Sequence, residues 1–223
     1  MDFAVLAHDM RAPLTAMLGH TRLLAIEGLS DAGRRRLQII EAQIHRLVMM
    51  LEDCEPAAAP ADELAAVDVS ATIRSVVSEL EGTWMRRRIR VIFCGEEALP
   101  RVPGNCGDLQ RVFMNILTNA AEASADGGRI VVHTQIGRMP GVPADAVEIR
   151  IADAGHGIEA DVLPRVFERG FTTKTPGPGT GLGLAICQQI VRAHRGWIEL
   201  HSAVGQGTTV RMCLPVCASH GSV

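Results

Sequence analysis

The residues able to do chemistry in this chain form two groups, one near the amino end and one spread over the carboxy-terminal two-thirds. Near the amino end His8 and Asp9 open the segment HDMRAPL, which runs to Leu14. A neutral imidazole at the edge of a helix is a nucleophile near neutral pH, provided a neighbour takes or holds its second proton. Asp9 is the only close acid on that helix, since Asp2 lies six residues away and Glu27 stands at its far end. Neighbouring helical residues point about 100° apart, so Asp9 has to curl back to meet the ring. Pro13 falls inside the helical pattern and removes the backbone bond to the Asp9 carbonyl, at roughly 3 kcal/mol, which predicts a local kink beside His8.

In the second group, Asn115 and Asn119 of NILTNA are four apart on one helix and share a face. Magnesium prefers oxygen ligands and keeps several waters, so a single amide oxygen beside phosphate oxygens is a sufficient protein contribution. Asp153 ends the strand pattern VEIRIAD and leads into Gly155 and Gly157 of DAGHGI, glycines that allow positive torsions and close approach to a ligand. Gly177, Gly179, Gly181, Leu182 and Gly183 of GPGTGLGL lead into a helix whose amino end offers free N–H groups and a favourable dipole to phosphate. This segment follows no strand and contains no Gly-Lys-Ser/Thr, which argues against dinucleotide-binding and P-loop readings.

The elements that must position these groups follow from periodicity. Phe3, Ala7, Met10, Leu14, Met17, Thr21 and Leu24 mark an apolar helix face, and Leu37, Ile40, Ile44, Leu47, Leu51 and Cys54 repeat it after a break at Gly28 to Gly33. A helical hairpin of this size cannot close a core alone, so pairing with a second copy into a four-helix bundle is expected. PAAAP, from Pro56 to Pro60, stops the second helix, and residues 56–66 read as a linker. Beyond it, helices are expected at Ala71 to Glu81, Cys106 to Ser124 and Gly181 to His194. Strands are expected at Ile89 to Cys94, Arg129 to Ile136, Val147 to Ala152, Trp197 to Ala203 and Thr208 to Leu214. The fold class is α+β: a helical hairpin forming a dimeric four-helix bundle, then an α/β sandwich. The expected divisions are 1–55, the linker 56–66, 67–217 and a tail 218–223. The segment from about Glu159 to Thr180 reads as a lid.

The 223 residues carry a net charge of −3 and no long basic run, which disfavours nucleic acid as a partner. The clusters Arg34 to Arg36 and Arg86 to Arg88 read as solvated faces. Cys54, Cys94, Cys106, Cys187, Cys213 and Cys217 include no CxxC pair, and the expectation is buried thiols in a reducing cytoplasm. No stretch approaches the roughly 20 apolar residues that span a bilayer, and no basic leader precedes an apolar core, so a soluble, cytoplasmic chain is expected. Only seven residues precede His8, so any sensor region is expected elsewhere. His20, His45, His133, His194, His201 and His220 form no spaced cluster and read as structural or exposed, and His156, inside the glycine turn, reads as a pocket-lining residue that need not do chemistry.

HDMRAPL, NILTNA, DAGHGI and GPGTGLGL, in this order, resemble the sequence boxes of the sensor histidine kinases. FERGFTTK is similar to that family's phenylalanine box, with Phe167 and Phe171 as lid anchors, and Gly205, Gly207 and Thr208 resemble its final glycine box. The resemblance covers the chain from about Phe3 to Pro215. It implies a dimerisation and histidine-phosphotransfer domain followed by an ATP-binding domain of the Bergerat type. It further implies ATP and magnesium as cofactors, His8 as phosphoacceptor and Asp9 as its general base. Asn119 then binds the metal, Asp153 accepts from the adenine amino group, Thr208 lies near the adenine and Lys174 reaches the phosphates. The implied partners are a second copy and the receiver domain of a response regulator, whose aspartate takes the phosphoryl group. Asn115 stands where related ATPases place a glutamate, and an amide cannot accept a proton from water, so saving the γ-phosphate for His8 is favoured over hydrolysis. Two departures from the pattern are Glu122, in place of a common lysine, and Ala12, in place of a threonine or asparagine that helps dephosphorylate the partner; weak phosphatase activity is expected. The alternatives are an ATPase or serine kinase of the same nucleotide fold, and a non-catalytic receiver-docking module.

Overall fold

The computed structural model describes residues 65–96, 98–139, 145–173 and 181–217, together with Leu14, Met17, Ser30, Gly33, Leu37, Ile40 and Ile44. The chain divides into two compact units, Met1–Ala58 with Glu168–Leu182, and Ala59–Phe167 with Gly183–Val223. The stretch Glu168–Leu182 therefore groups with the amino-terminal residues, whereas the sequence pattern assigns it to 67–217. Its described part contains no strand that would tie it into a sheet.

In the first unit Leu14, Met17, Gly33, Leu37, Ile40 and Ile44 are helical. The Ser30 hydroxyl accepts a hydrogen bond from the Gly33 backbone N–H at 3.2 Å, the mark of an N-cap. The second helix thus already includes Gly33, and the break expected across Gly28 to Gly33 is shorter than its composition suggests. Leu14, Leu37 and Ile44 are buried, whereas Met17 and Ile40, on the same apolar faces, are 54% and 49% exposed.

The second unit is an α/β sandwich. Five strands, β2 (Arg90–Gly95), β4 (Arg129–Arg138), β5 (Asp145–Asp153), β6 (Trp197–Ala203) and β7 (Gly207–Pro215), form one sheet in the order β2-β4-β5-β7-β6. β2 pairs parallel to β4 and every other pair is antiparallel. Among the described residues this unit has three α-helices: α1 (Val69–Trp84), α2 (Cys106–Ala123) and α3 (Gly183–Ala193). Two short strands absent from the sequence expectations, β1 (Ala65–Val67) and β3 (Val102–Gly104), pair antiparallel as a separate ribbon. At three residues each they are too short to show a period of two, and β1 begins inside the stretch that reads as linker.

Alternation divides the sheet into two unlike faces. Ile130 and Val132 of β4, Val147, Ile149 and Ile151 of β5, and Val210, Met212 and Leu214 of β7 are buried on the helix side. The helices meet them with Val69, Ile73, Val76 and Val77 of α1, Leu109, Val112, Phe113, Ile116 and Leu117 of α2, and Ile186, Ile190 and Val191 of α3, at helical spacing. On the opposite face Glu148, Arg150, Arg211, Glu199 and His201 stand in cross-strand register.

The helix ends are secured by named side chains. Asp68 caps α1, its Oδ1 accepting from Ala71 N–H at 2.9 Å, and Asn105 caps α2 through Asp108 N–H at 3.1 Å. Each such cap contributes about 1 kcal/mol. At the far end of α2 the Arg87 guanidinium donates to the carbonyl oxygens of Ala121 at 2.8 Å and Ser124 at 2.5 Å, and pairs with Asp126 at 3.0 Å. Arg87 is thus a helix C-cap rather than the solvated turn charge its sequence context suggests. His194 is buried, with Nε2 accepting from Asn105 N–H at 3.0 Å and Nδ1 against the Ile190 carbonyl at 2.8 Å, a structural role as expected.

The cysteine expectation needs correction. Cys187 and Cys213 are buried, with burial pushing the Cys187 thiol up to about 12, but Cys94 and Cys106 are exposed and Cys217 is half-buried. Cys94 lies on the edge strand β2, where alternation turns its side chain away from the core, and Cys106 sits at the solvent-facing first turn of α2.

Candidate functional site

The site is assembled on one stripe of α2. Asn115, Asn119 and Ala123 recur every four residues and all three are half-buried, flanked by the buried Ile116, Leu117, Ala120 and Ala121. Eight residues at the helical rise put roughly 12 Å between the ends of this stripe. At the Asn115 end stands the first residue of α3: a Cβ built on Gly183 would lie 3.5 Å from Asn115 Oδ1. The Asn115 Nδ2 is buried at the start of α3, near the Cys187 thiol and without a hydrogen bond of good geometry.

The Ala123 end is closed by the turn after β5. A Cβ on Gly155 would meet the Ala123 carbonyl oxygen at 2.4 Å, so only glycine lets this turn press onto the helix, and His156 N–H then donates to that same oxygen at 3.2 Å. The turn is locked from its other side by the β6–β7 hairpin. Gly205 N–H donates to the His156 carbonyl at 2.8 Å. Ser202 Oγ accepts from Ile158 N–H at 2.9 Å, donates to the Gly207 carbonyl at 2.7 Å and lies 3.0 Å from Thr208 Oγ1. These contacts use the full capacity of one hydroxyl. No spacing in the sequence marks Ser202, because its role arises only when hairpin and turn meet.

Asp153 stands between these parts. Its Oδ1 accepts from Gly155 N–H at 2.8 Å and from Thr208 N–H at 3.2 Å, and no described residue bonds Oδ2. Gly207, with φ +82, brings its backbone so near that a Cβ would lie 2.0 Å from the Asp153 carbonyl oxygen. The carboxylate is therefore oriented by two backbone donors on one oxygen, and the other oxygen has no bond from a described residue. Burial raises its pKa above the ordinary aspartate value, opposed by the two N–H groups and by His156. No cation pairs with it among the described residues.

The structure thus brings together Asn115 with Gly183, and Asp153 with Gly155, Gly157 and Thr208, along the stripe that carries Asn119. Gly181 and Leu182 directly precede α3, and Gly170 N–H donates to the Gly181 carbonyl at 3.0 Å, joining the two ends of the stretch between them. The helix expected from Gly181 starts two residues later, because Gly181 takes φ +67, outside the helical region. Phe167 and Phe171 are both half-buried. His8, Asp9, Ala12, Lys174, Gly177 and Gly179 lie outside the described residues. No group of three or more His, Cys, Asp or Glu able to hold a metal occurs among the described residues. Asn119 carries an amide on this stripe, and an amide oxygen is a type of donor that suits an ion arriving with phosphates and water.

Residues 104–218, which carry this polar helix stripe, oriented acid and glycine-led helix start, match the family described as histidine kinase-, DNA gyrase B-, and HSP90-like ATPase. The chain belongs to this family. Residues 3–55 match the His Kinase A (phospho-acceptor) domain, so the two regions together are the core of a two-component sensor histidine kinase. Among its relatives, the sensor histidine kinase ZraS of Escherichia coli (strain K12) is 31% identical over 215 residues, covering 96% of this chain and 44% of ZraS. The sensory histidine kinase/phosphatase NtrB of Rhodobacter capsulatus is 30% identical over 220 residues, covering 95% of this chain and 61% of NtrB. The crystal structure of full-length ShkA in complex with AMPPNP superposes with a TM-score of 0.66 at 25% identity, covering 96% of this chain and 45% of ShkA. This kinase core therefore spans about half the length of the curated relatives it matches. Among the described residues, no helix is long and apolar enough to cross a membrane.

Proposed function

We propose that this kinase core binds ATP along the α2 stripe, phosphorylates His8 and passes the phosphoryl group to an aspartate of a response-regulator receiver domain. The observation that carries the reading is the Asp153 carboxylate, whose Oδ1 is held by two backbone N–H groups while Oδ2 stays open. Such an oxygen accepts from an exocyclic amine and repels a carbonyl, so adenine is preferred over guanine by roughly 1.5–3 kcal/mol. With adenine at Asp153 and Thr208, the phosphates run toward Asn115 and the start of α3, where free N–H groups and the helix dipole favour negative charge. Gly177, Gly179, Gly181, Leu182 and Gly183 supply this end, with Lys174 as a counter-charge. Asn119 would hold magnesium, which offsets phosphate charge when bound.

In the transfer the His8 imidazole attacks the γ-phosphorus, the bond from phosphorus to the β–γ bridging oxygen breaks, ADP leaves, and Asp9 takes the ring proton. Asn115 cannot act as a base toward water, so transfer to His8 is favoured over hydrolysis. Ala12 has no polar group to place a water on the partner's phosphoaspartate, so phosphatase activity is weak and should rise in Ala12→Thr. The exposure of Met17 and Ile40 on otherwise apolar helix faces supports a homodimer in which a second copy covers them. The working divisions are 1–55 for dimerisation and phosphotransfer, 56–66 for the linker and 67–217 for ATP binding, with a tail at 218–223, in a protein acting in the cytoplasm where ATP is available.

Incubation with γ-labelled ATP tests the reading. Label on the wild-type chain that is lost in acid and absent from His8→Gln is the expected result. Acid-stable label, or free phosphate without labelled protein, would overturn it.

A further inference from the structure

We propose that the second unit carries another ligand site, at the edge of the sheet away from Asp153, and that it takes a small zwitterion with a short apolar side chain, the chemistry of a free α-amino acid. A cavity of about 330 Å³ opens there between α1, the carboxy end of β2 and the middle of β4, lined by Ser70, Ile73, Arg74, Phe93, Glu96 and Thr134, with Cys94 and Gly95 completing the wall. That volume lies in the range of small-molecule pockets. Thr134 pairs with Ile149 of β5 whereas Asp153 pairs with Ile130, so the cavity lies four residues along β4 from the Asp153 turn, roughly 13 Å.

Three observations point to a ligand and to its class. Thr134 is only 7% exposed, yet no described residue hydrogen-bonds its hydroxyl. Its oxygen keeps access to the cavity, so a bound polar group would take the place of water there. The Arg74 guanidinium lies over the Phe93 ring at 4.4 Å and makes no ion pair among the described residues. Stacking holds its fork in place for a carboxylate. Glu96 uses one oxygen, Oε1, to accept from Ile136 N–H at 3.2 Å and pairs with no cation among the described residues. Two opposite charges on one cavity wall, neither neutralised by the other, match a ligand with a carboxylate and an ammonium. The half-buried Phe93 ring supplies the apolar contact between them.

The site is independent of the proposed nucleotide site, and a single titration keeps the two apart. Titration of the full chain with L-leucine, followed by amide proton–nitrogen correlation spectra, should give saturable shifts at Ser70, Gly95 and Thr134, with or without AMPPNP. Isocaproate lacks the ammonium and isoamylamine lacks the carboxylate, and each should bind roughly tenfold or more weakly than L-leucine. Arg74→Gln and Glu96→Gln, both at exposed positions that the fold tolerates, should each weaken L-leucine by a similar factor, and Arg74→Gln should leave isoamylamine unchanged. The proposal is overturned if these amides show no saturable shift, if either analogue binds as tightly as L-leucine, or if AMPPNP displaces L-leucine.

Discussion

Glu148 and Asp153 lie on the same strand, β5, and their surroundings shift them in opposite directions. Glu148 points to the polar face of the sheet and is 3% exposed. Arg211 donates to its Oε2 at 2.9 Å and Arg150 bonds its Oε1, and Arg211 is itself stacked over Trp197 and paired with Glu199 at 3.3 Å. The Arg211 hydrogen bond, helped by Arg150, holds the Glu148 carboxyl below its ordinary value despite burial. Asp153 has only backbone donors, both on one oxygen, and burial shifts it upward. A structural acid has its charge neutralised within the protein. The acid proposed to bind adenine is oriented by the protein and left without a counter-charge.

The sharpest way to break this contrast is to disturb the backbone that seats Asp153. Gly207→Ala combines a positive φ with a Cβ 2.0 Å from the Asp153 carbonyl oxygen, and it should lower stability by roughly 3 kcal/mol in denaturant unfolding. An unchanged midpoint would mean that the hairpin does not position the acid. Next in size, Glu148→Ala leaves Arg211 and Arg150 facing an empty position and should cost about 2–3 kcal/mol of stability, with ATP affinity by calorimetry unaltered. Loss of ATP binding in that variant would erase the distinction between the two acids.

Asp153→Asn should do the reverse. The asparagine oxygen still accepts from Gly155 and Thr208, so the melting temperature should hardly move, but the amide nitrogen now faces the adenine amine. ATP affinity should fall by about 2 kcal/mol, roughly thirtyfold. The dependence on pH should be the smallest effect. Glu148, held below its ordinary 4.5, contributes stability that is full above that value and is lost as pH falls through the lower folded value. Asp153, raised above its ordinary 3.8, works the other way on stability, because protonation relieves the cost of burying its charge. The same protonation removes the acceptor for adenine, so ATP affinity should decline from a higher pH than an ordinary aspartate would give, and Asp153→Asn should abolish that decline.

Much of this molecule is legible in its amino-acid sequence. The strands of the main sheet and the three helices of the second unit come within a few residues of their expected limits, because alternation and 3.6-residue periodicity act within a single element. NILTNA and DAGHGI are legible for a similar reason: each keeps its chemistry within one helix stripe or one turn. The misses lie where distant segments meet. Arg87 reads as a surface charge until the end of α2 arrives beneath it, and Ser202 and Ala123 carry no signal until hairpin and turn close on one another.

Sequence alone determined which side chains are present, their order, and the helix and strand faces on which they stand, since those follow from local geometry. Only the tertiary structure decided which oxygen of Asp153 is occupied, that Glu148 is neutralised, and that Arg74, Glu96 and Thr134 share a cavity without satisfying one another. Hydrogen bonding and burial depend on partners far apart in the chain, and packing alone selects those partners.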